Sequence, residues 1–152
     1  MPKLSTKIIA ALAALMATPA LALAAAAPVT LDSAIKLDKL VDGHHAWVAP
    51  QKVVPGNHLL FTTTYHNTTA KPVEHFVVTN PVPAAVALEE APAAEVSVDG
   101  GKSFGPLASL KVATPGGALR AAEPADVTHV RFVVPAIAPG ATGTLEYHAV
   151  VR

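Results

Sequence analysis

The fold is decided by residues 54–69, which read VPGNHLLFTTTYHNTT. Pro55 fixes its own φ at about −65° and Gly56 can adopt a positive φ, so this pair predicts a type II turn that starts a strand. After the turn, a set of side chains that includes two aromatic rings alternates with a second set that includes two histidines. This period of two is typical of a half-buried strand. The set that we expect to face the core is Leu59, Phe61, Thr63 and Tyr65.

Proline and glycine punctuate the rest of the chain, and the intervening runs are short and lack a long helical period. We expect a short helical turn only within residues 118–126. The spacing predicts an all-β fold, a single Ig-like β-sandwich of about seven or eight strands over residues 27–152. The other candidate strands are residues 29–41, 73–78, 85–88, 95–98, 107–112, 129–134 and 144–151.

The composition excludes several classes of protein. The 152 residues contain no cysteine, which removes disulfide scaffolds, cysteine zinc sites, thiol enzymes and iron–sulfur proteins. Eleven cationic side chains balance eleven anionic ones. Since there is no basic excess, we expect no nucleic-acid partner.

Residues 1–26 have the pattern of a secretory signal peptide. Lys3 and Lys7 precede a long uncharged run of small and apolar residues, which ends in an Ala-x-Ala pattern. We expect cleavage near Ala24 or Ala26, and therefore a periplasmic or secreted protein that meets the membrane only through the signal peptide before cleavage. The alternative is an uncleaved membrane anchor.

Several turn motifs recur across the mature chain. The Pro55-Gly56 turn is followed by a strand ending at Asn67, then by residues 77–83, VVTNPVP, and Pro139-Gly140 precedes the last strand. This order resembles the bacterial conserved repeat domain, the Ig-like domain of unknown function eleven. The resemblance implies an exported or cell-surface β-sandwich with no established catalytic residues. The residues that carry it have structural roles in turns, at Pro55, Gly56, Asn67, Pro139 and Gly140.

Residues 97–104, SVDGGKSF, resemble the Asp-box, a hairpin brace of propeller blades. The chain is too short for a propeller, so we expect a solitary β-hairpin. In it Asp99 caps the turn, Gly100 and Gly101 supply positive φ, and Phe104 returns to the core. A calcium loop is the alternative, although Asp99 is its only obvious carboxylate and calcium takes six to eight oxygen ligands.

Seven histidines raise the alternative of a periplasmic copper- or zinc-binding protein. His44 and His45, adjacent to each other in an expected loop, are the best metal candidates and would need a third ligand. His129 and His148 could lie at neighbouring positions of the last hairpin, where a solvated polar face is the simpler interpretation. We expect no cofactor and no specific metal site.

Enzyme motifs are missing from the sequence: it has no Gly-x-Ser-x-Gly, no His-Glu-x-x-His and no phosphate-binding glycine loop. We therefore expect a non-catalytic interaction or envelope-structural module that binds an unknown protein or envelope component through sheet edges and loop tips; a small hydrolase with an unrecognised site is a further alternative. Trp47, the only tryptophan, is the contact candidate within an expected loop of residues 44–53. Alternatively, Trp47 covers the open end of the core.

Overall fold

A computed structural model of the protein describes residues 27–152, and the predicted signal peptide, residues 1–26, lies outside the described residues. The described chain is built almost entirely of antiparallel strands. Their bounds are β1 Val29–Val41, β2 His44–Val48, β3 His58–Asn67, β4 Val73–Pro81, β5 Val86–Glu90, β6 Ala94–Ser97, β7 Lys111–Ala113, β8 Leu119–Ala121, β9 His129–Ile137 and β10 Thr142–Val151.

Eight strands form two sheets that face each other. The larger sheet has five strands in the order β2-β1-β3-β10-β5, and the smaller has three in the order β4-β9-β6. β7 and β8 form a separate hairpin, flanked by the 3-10 turns Leu107–Ser109 and Pro124–Asp126. The predicted all-β sandwich is confirmed. No helix in residues 27–152 is long and apolar enough to cross a membrane.

The core lies between the two sheets and follows the alternation of the strands. Leu59 of β3 pairs with Leu37 of β1 and with Ala149 of β10, so one row of inward side chains crosses the large sheet. Val130 and Phe132 of β9 cover this row from the small sheet. All five are buried, as expected of a sandwich whose inward positions interdigitate.

Phe61 and Tyr147 extend the core along β3 and β10. Their rings are stacked, with centroids 4.6 Å apart and an interplanar angle of 5°. Burial raises the pKa of Tyr147 to about 12, because ionisation would place a phenolate in apolar surroundings. Both side chains therefore lie on the inner face of the large sheet, and the predicted inward position of Phe61 is present in the structure.

Three local predictions differ from the structure. Residues 107–112 are not one strand, since a 3-10 turn at Leu107–Ser109 precedes β7. Within residues 118–126 the expected helical turn is a single 3-10 turn, Pro124–Asp126, and it follows a strand, β8. The strand expected at residues 73–78 is longer, because β4 continues to Pro81, which lies opposite His129. An edge strand such as β4 tolerates proline where a central strand would not.

Two glycines have the left-handed backbone that their turns require. Gly56 has φ +87°, and the turn it completes is closed by a 3.1 Å hydrogen bond from the Asn57 amide to the Val54 carbonyl. Gly140 has φ +69°, and the Ala141 amide closes the corresponding turn after Pro139. These turns start the third and tenth strands.

Asn67 is the best-bonded side chain at the end of β3. It is fully buried, and its amide nitrogen donates to the carbonyls of Lys71, Ile137 and Ala138 at 2.8, 3.0 and 3.2 Å. Its side-chain oxygen accepts from the Thr69 amide at 3.0 Å and hydroxyl at 2.8 Å. One side chain thus ties the loop after β3 to the end of β9.

Candidate functional site

Trp47 lies in a strand and not in a loop, so the prediction of a loop over residues 44–53 was wrong for its first half. β2 runs from His44 to Val48 and pairs with β1, with Val48 opposite the buried Leu37. Because neighbouring residues of a strand point to opposite faces, Trp47 points away from the core. It lies on the outer face of the large sheet and does not cover the open end of the sandwich.

The indole of Trp47 reaches across two strands to β10. Its ring centroid is 5.5 Å from that of His148, in an edge-to-face arrangement. β1 and β3 separate β2 from β10, and Leu60 occupies β3 between them. Leu60 is only 6 % exposed although it faces outward and lies outside the main core cluster. We attribute its burial to the two rings, which together form a small apolar cover.

Two histidine–carboxylate pairs flank this cover. Nδ1 of His45 is 3.0 and 2.9 Å from the two carboxylate oxygens of Asp38, which lies opposite Trp47 on β1. Nδ1 of His58 is 2.8 Å from a carboxylate oxygen of Glu89. Both pairs are open to solvent on at least one side, so each is weak as a stabilising contact.

The Glu89 carboxylate raises the pKa of His58 above its ordinary value, first through their hydrogen bond and second through its charge. The charge of Asp38 adds a smaller contribution in the same direction. Since a nearby anion favours the imidazolium form, the contact with Glu89 stabilises the protonated state of His58.

We call this surface the Trp47 patch and define it by its residues. Besides Asp38 and Glu89, it carries two further carboxylates. Glu90 lies opposite His148, and Glu146 lies two residues before His148 on the same face of β10. One lysine, Lys36, shares the face through its pairing with Leu60. The patch therefore combines aromatic rings with more carboxylates than lysines. Its members are Lys36, Asp38, His45, Trp47, His58, Leu60, Glu89, Glu90, Glu146 and His148.

The strand geometry also separates the metal candidates. His44 lies opposite Val41 and His45 opposite Leu40, so their side chains point to opposite faces of the sheet. His129 and His148 belong to different sheets, because the chain crosses between sheets after β9. Within residues 27–152 no group of three or more histidine and carboxylate side chains is arranged to hold a metal ion.

Asp99 organises a compact turn after β6. One carboxylate oxygen accepts from the Lys102 and Ser103 amides, both at 3.0 Å, and from the Ser97 hydroxyl at 2.7 Å. The other accepts from the Ser103 hydroxyl at 2.6 Å. These bonds, chiefly those from Ser103, hold the pKa of Asp99 well below its usual range. Gly100 and Gly101 have φ +78° and +85°.

Both oxygens of Asp99 are thus occupied by donors of its own turn, an arrangement typical of a brace. Val96 and Gly105 exchange two backbone hydrogen bonds and close the hairpin. Phe104 does not enter the main core, contrary to the prediction. It is half-buried under the guanidinium of Arg131, whose central carbon lies 4.2 Å from the ring centroid, at a distance typical of a cation–π contact.

Comparison of the chain with models of protein families, with curated proteins and with solved structures gives no match. The structure therefore defines the class, an all-β sandwich with an aromatic patch on one outer face. Sequence reasoning had selected Trp47 and His45 and had assigned His148 to a solvated polar face, but it did not select Asp38 or Glu89 as site residues. The alternating pattern of each strand could have placed these two on an outer face, but only the strand order brings them near His148 and Trp47.

Proposed function

We propose that this protein is an exported, non-catalytic Ig-like module of the bacterial cell envelope that binds a protein partner through the Trp47 patch. The export signal in residues 1–26 and the resemblance of the turn motifs to the conserved repeat domain support the compartment and the family. The position of Trp47 supports the mode of action. The partner is a protein with a basic contact surface.

The exposure of Trp47 is the observation that carries the proposal. Trp47 is 41 % exposed on the outer face of the large sheet, where it projects from the edge strand β2, whereas it is not part of the core cluster of the sandwich. Tryptophan is enriched at the energetic centres of protein interfaces. Its amphipathic ring buries a large area while losing little conformational entropy.

The charge around Trp47 indicates the kind of partner. The carboxylates of Asp38, Glu89, Glu90 and Glu146 lie on the same outer sheet face as the indole, together with Lys36. An anionic rim accelerates association with a cationic surface and disfavours an anionic one. An arginine or lysine of the partner can also lie over the indole face.

The geometry of the histidines supports a binding role over a hydrolytic one. His45 and His58 each bond a carboxylate through Nδ1, as the base of a catalytic triad does. A triad also needs a hydroxyl or thiol at the other ring nitrogen. Within residues 27–152 neither ring is hydrogen-bonded to such a group.

The test compares Trp47→Ala with Val77→Ala in the mature protein. Val77 is 50 % exposed on the outer face of the small sheet and serves as a matched control. Each protein is immobilised, envelope proteins that bind the wild type are identified, and the affinity of each purified partner is measured. We expect Trp47→Ala to lose at least about tenfold in affinity and Val77→Ala to bind as wild type.

Two measurements separate the alternatives. Binding of the basic partner should weaken with added salt, because rim charges are screened. Equal affinity of the wild type and Trp47→Ala would overturn the proposal. A zinc or copper titration of the wild type tests the metal-binding alternative, and stoichiometric binding that disappears in His45→Ala would favour that function instead.

A further inference from the structure

The two sheets differ in width, and this leaves part of the large sheet uncovered. Five strands face three. On the inner face of β1, Leu31 is 48 % and Ile35 is 44 % exposed, and Ser33 between them is exposed as well. Inward positions of a sandwich normally pack against the opposite sheet. We call Leu31, Ser33 and Ile35 the β1 shelf.

The register shows why the β1 shelf lies open. Leu31, Ser33 and Ile35 lie opposite the inward residues Tyr65, Thr63 and Phe61 of β3. Tyr65 does not lean toward Leu31: a Cβ atom added at Gly143 of β10 would collide with the Tyr65 ring. The ring therefore lies over Gly143, on the side away from β1.

A groove runs between the β1 shelf and the end of β4. Its volume is about 270 Å³, and it is lined by Ser33, Ile35, Thr63, Asn80 and Pro81 among others. Three of its polar side chains bond one another, because the Thr63 hydroxyl is 3.2 Å from the Ser33 hydroxyl and accepts from the Asn80 side-chain amide at 3.0 Å. The groove therefore favours apolar side chains of a ligand.

The wall of the groove is a free sheet edge. Within the described residues β4 pairs with β9 alone, so its other edge has unpaired backbone groups. His75 has φ +51° and Pro81 lacks an N–H, which leaves residues 76–80 as an uninterrupted extended window. Such an edge accepts an additional strand through backbone hydrogen bonds. A strand added there would lie over the β1 shelf.

The space above the β1 shelf fits a single added strand at the β4 edge and does not fit a second copy of this chain. β1 and β2 extend beyond the edge of β4 in the opposite layer. If two copies met through their β4 edges, their large sheets would occupy the same layer, and β1 and β2 of one would collide with those of the other. The space is one or two strands wide, at about 4.8 Å per strand.

The charge at one end of the shelf indicates what the strand carries. Lys39 lies on the same face of β1, four residues beyond Ile35, or about 13 Å away. Lys39 and Lys52 line a second groove of about 470 Å³ together with Leu37 and Val41. In residues 27–152 neither lysine forms a salt bridge.

We propose that β4 and the β1 shelf bind an extended peptide of about nine residues from another protein, apolar at alternate positions and acidic at the end over Lys39. Antiparallel pairing is the commoner arrangement, and β4 runs toward the Lys39 end. The acidic residue therefore lies at the amino end of the peptide. This surface shares Asp38, which lines the second groove, with the Trp47 patch, but it does not include Trp47.

The probe is an acetylated, amidated nonapeptide with aspartate first, followed by serine alternating with valine, so that the aspartate and the valines share one face. Residue-resolved amide hydrogen exchange of the mature protein is measured with and without it. We expect exchange of amides within residues 76–80 to slow by at least about tenfold near saturation, while residues 44–48 of the β2 edge stay unchanged. Protection of β2 or β5 alone, or no protection at millimolar peptide, would overturn the proposal.

Variants assign the side-chain contacts. Ile35→Asp should weaken peptide affinity at least about tenfold, whereas Val133→Asp, similarly exposed but on β9 and outside the pairing window, should not. The Lys39→Glu variant should bind a peptide that begins with lysine more tightly than the peptide that begins with aspartate. Equal affinities of the wild type and Ile35→Asp, with both shown to be folded by circular dichroism, would contradict the shelf. Trp47→Ala should bind the peptide normally, so failure here is distinguishable from failure of the proposed function.

Discussion

His58 of β3 and Glu89 of β5 share a 2.8 Å hydrogen bond although β10 lies between their strands. A register shift in the pairing of β10 with β5 makes this possible. His148 lies opposite Glu90, while its neighbour Ala149 lies opposite Leu88. Glu89 is thus the extra residue of a bulge, and a bulge can redirect a side chain. The bond connects β3 with β5 across β10 on the outer face of the large sheet.

The first prediction concerns the pH dependence of this pair. Because the pKa of His58 is raised in the folded state, its contribution to stability is complete below the unfolded pKa of about 6.5 and is lost as pH rises through the folded value. Glu89→Gln should therefore destabilise more at pH 5.5 than at pH 8.5. Urea unfolding at both pH values measures the difference, and the His58 pKa followed by NMR should fall in the variant.

Glu90→Gln is the control for this prediction. Glu90 is adjacent and exposed but bonds no histidine in the described part of the chain. Its replacement should leave the pH dependence as in the wild type. A wild-type His58 pKa at or below the ordinary value would show that the pair does not form in solution.

The second prediction concerns the brace after β6. Gly101→Ala should destabilise the fold by about 1–2 kcal/mol, because a left-handed backbone costs an L side chain about that much. Space is not the cause, since the new Cβ would be 3.6 Å from the nearest ring atoms of His129. Chemical denaturation in the absence and presence of calcium gives the measurement, and we expect no effect of calcium.

Gly116→Ala is the matched control for Gly101→Ala. Gly116 also has open space at its Cβ position and lacks a positive φ, so its replacement should change stability by less than about 0.5 kcal/mol. A calcium-dependent rise in Tm that disappears in Asp99→Ala would instead favour a calcium loop.

The third prediction concerns Asn67. Asn67→Ala removes the donor for three buried or partly buried carbonyls, so we expect a loss of about 2–4 kcal/mol in the free energy of unfolding. Asn57→Ala, which removes one hydrogen bond to the Val54 amide, should cost no more than about 1.5 kcal/mol. Similar losses for the two variants would show that the buried contacts of Asn67 contribute little.

The fourth prediction concerns processing. Protein recovered from an exporting host should begin between Ala25 and Pro28, because the small residues that follow the apolar run end there. Intact-mass measurement identifies the first residue. A full-length chain recovered in the membrane fraction would favour the uncleaved anchor.

Local sequence patterns specify the class of fold and much of the core. Alternation with a period of two specifies which side chains share a face whatever the partner strand is, so Leu59, Phe61 and Tyr147 could be placed inside. Turns are equally local. A proline followed by a glycine constrains four residues, which is why Pro55-Gly56 and Pro139-Gly140 lie at the predicted turns.

The tertiary structure alone decided which strands are neighbours, and therefore the composition of each surface. Trp47 and His148 are about a hundred residues apart and meet only because β1 and β3 lie between their strands. No local pattern encodes that order. The prediction that Phe104 returns to the core was wrong for the same reason, since its ring packs against Arg131 of a neighbouring strand. The open β1 shelf follows from the unequal widths of two sheets, and pairing between distant segments sets those widths.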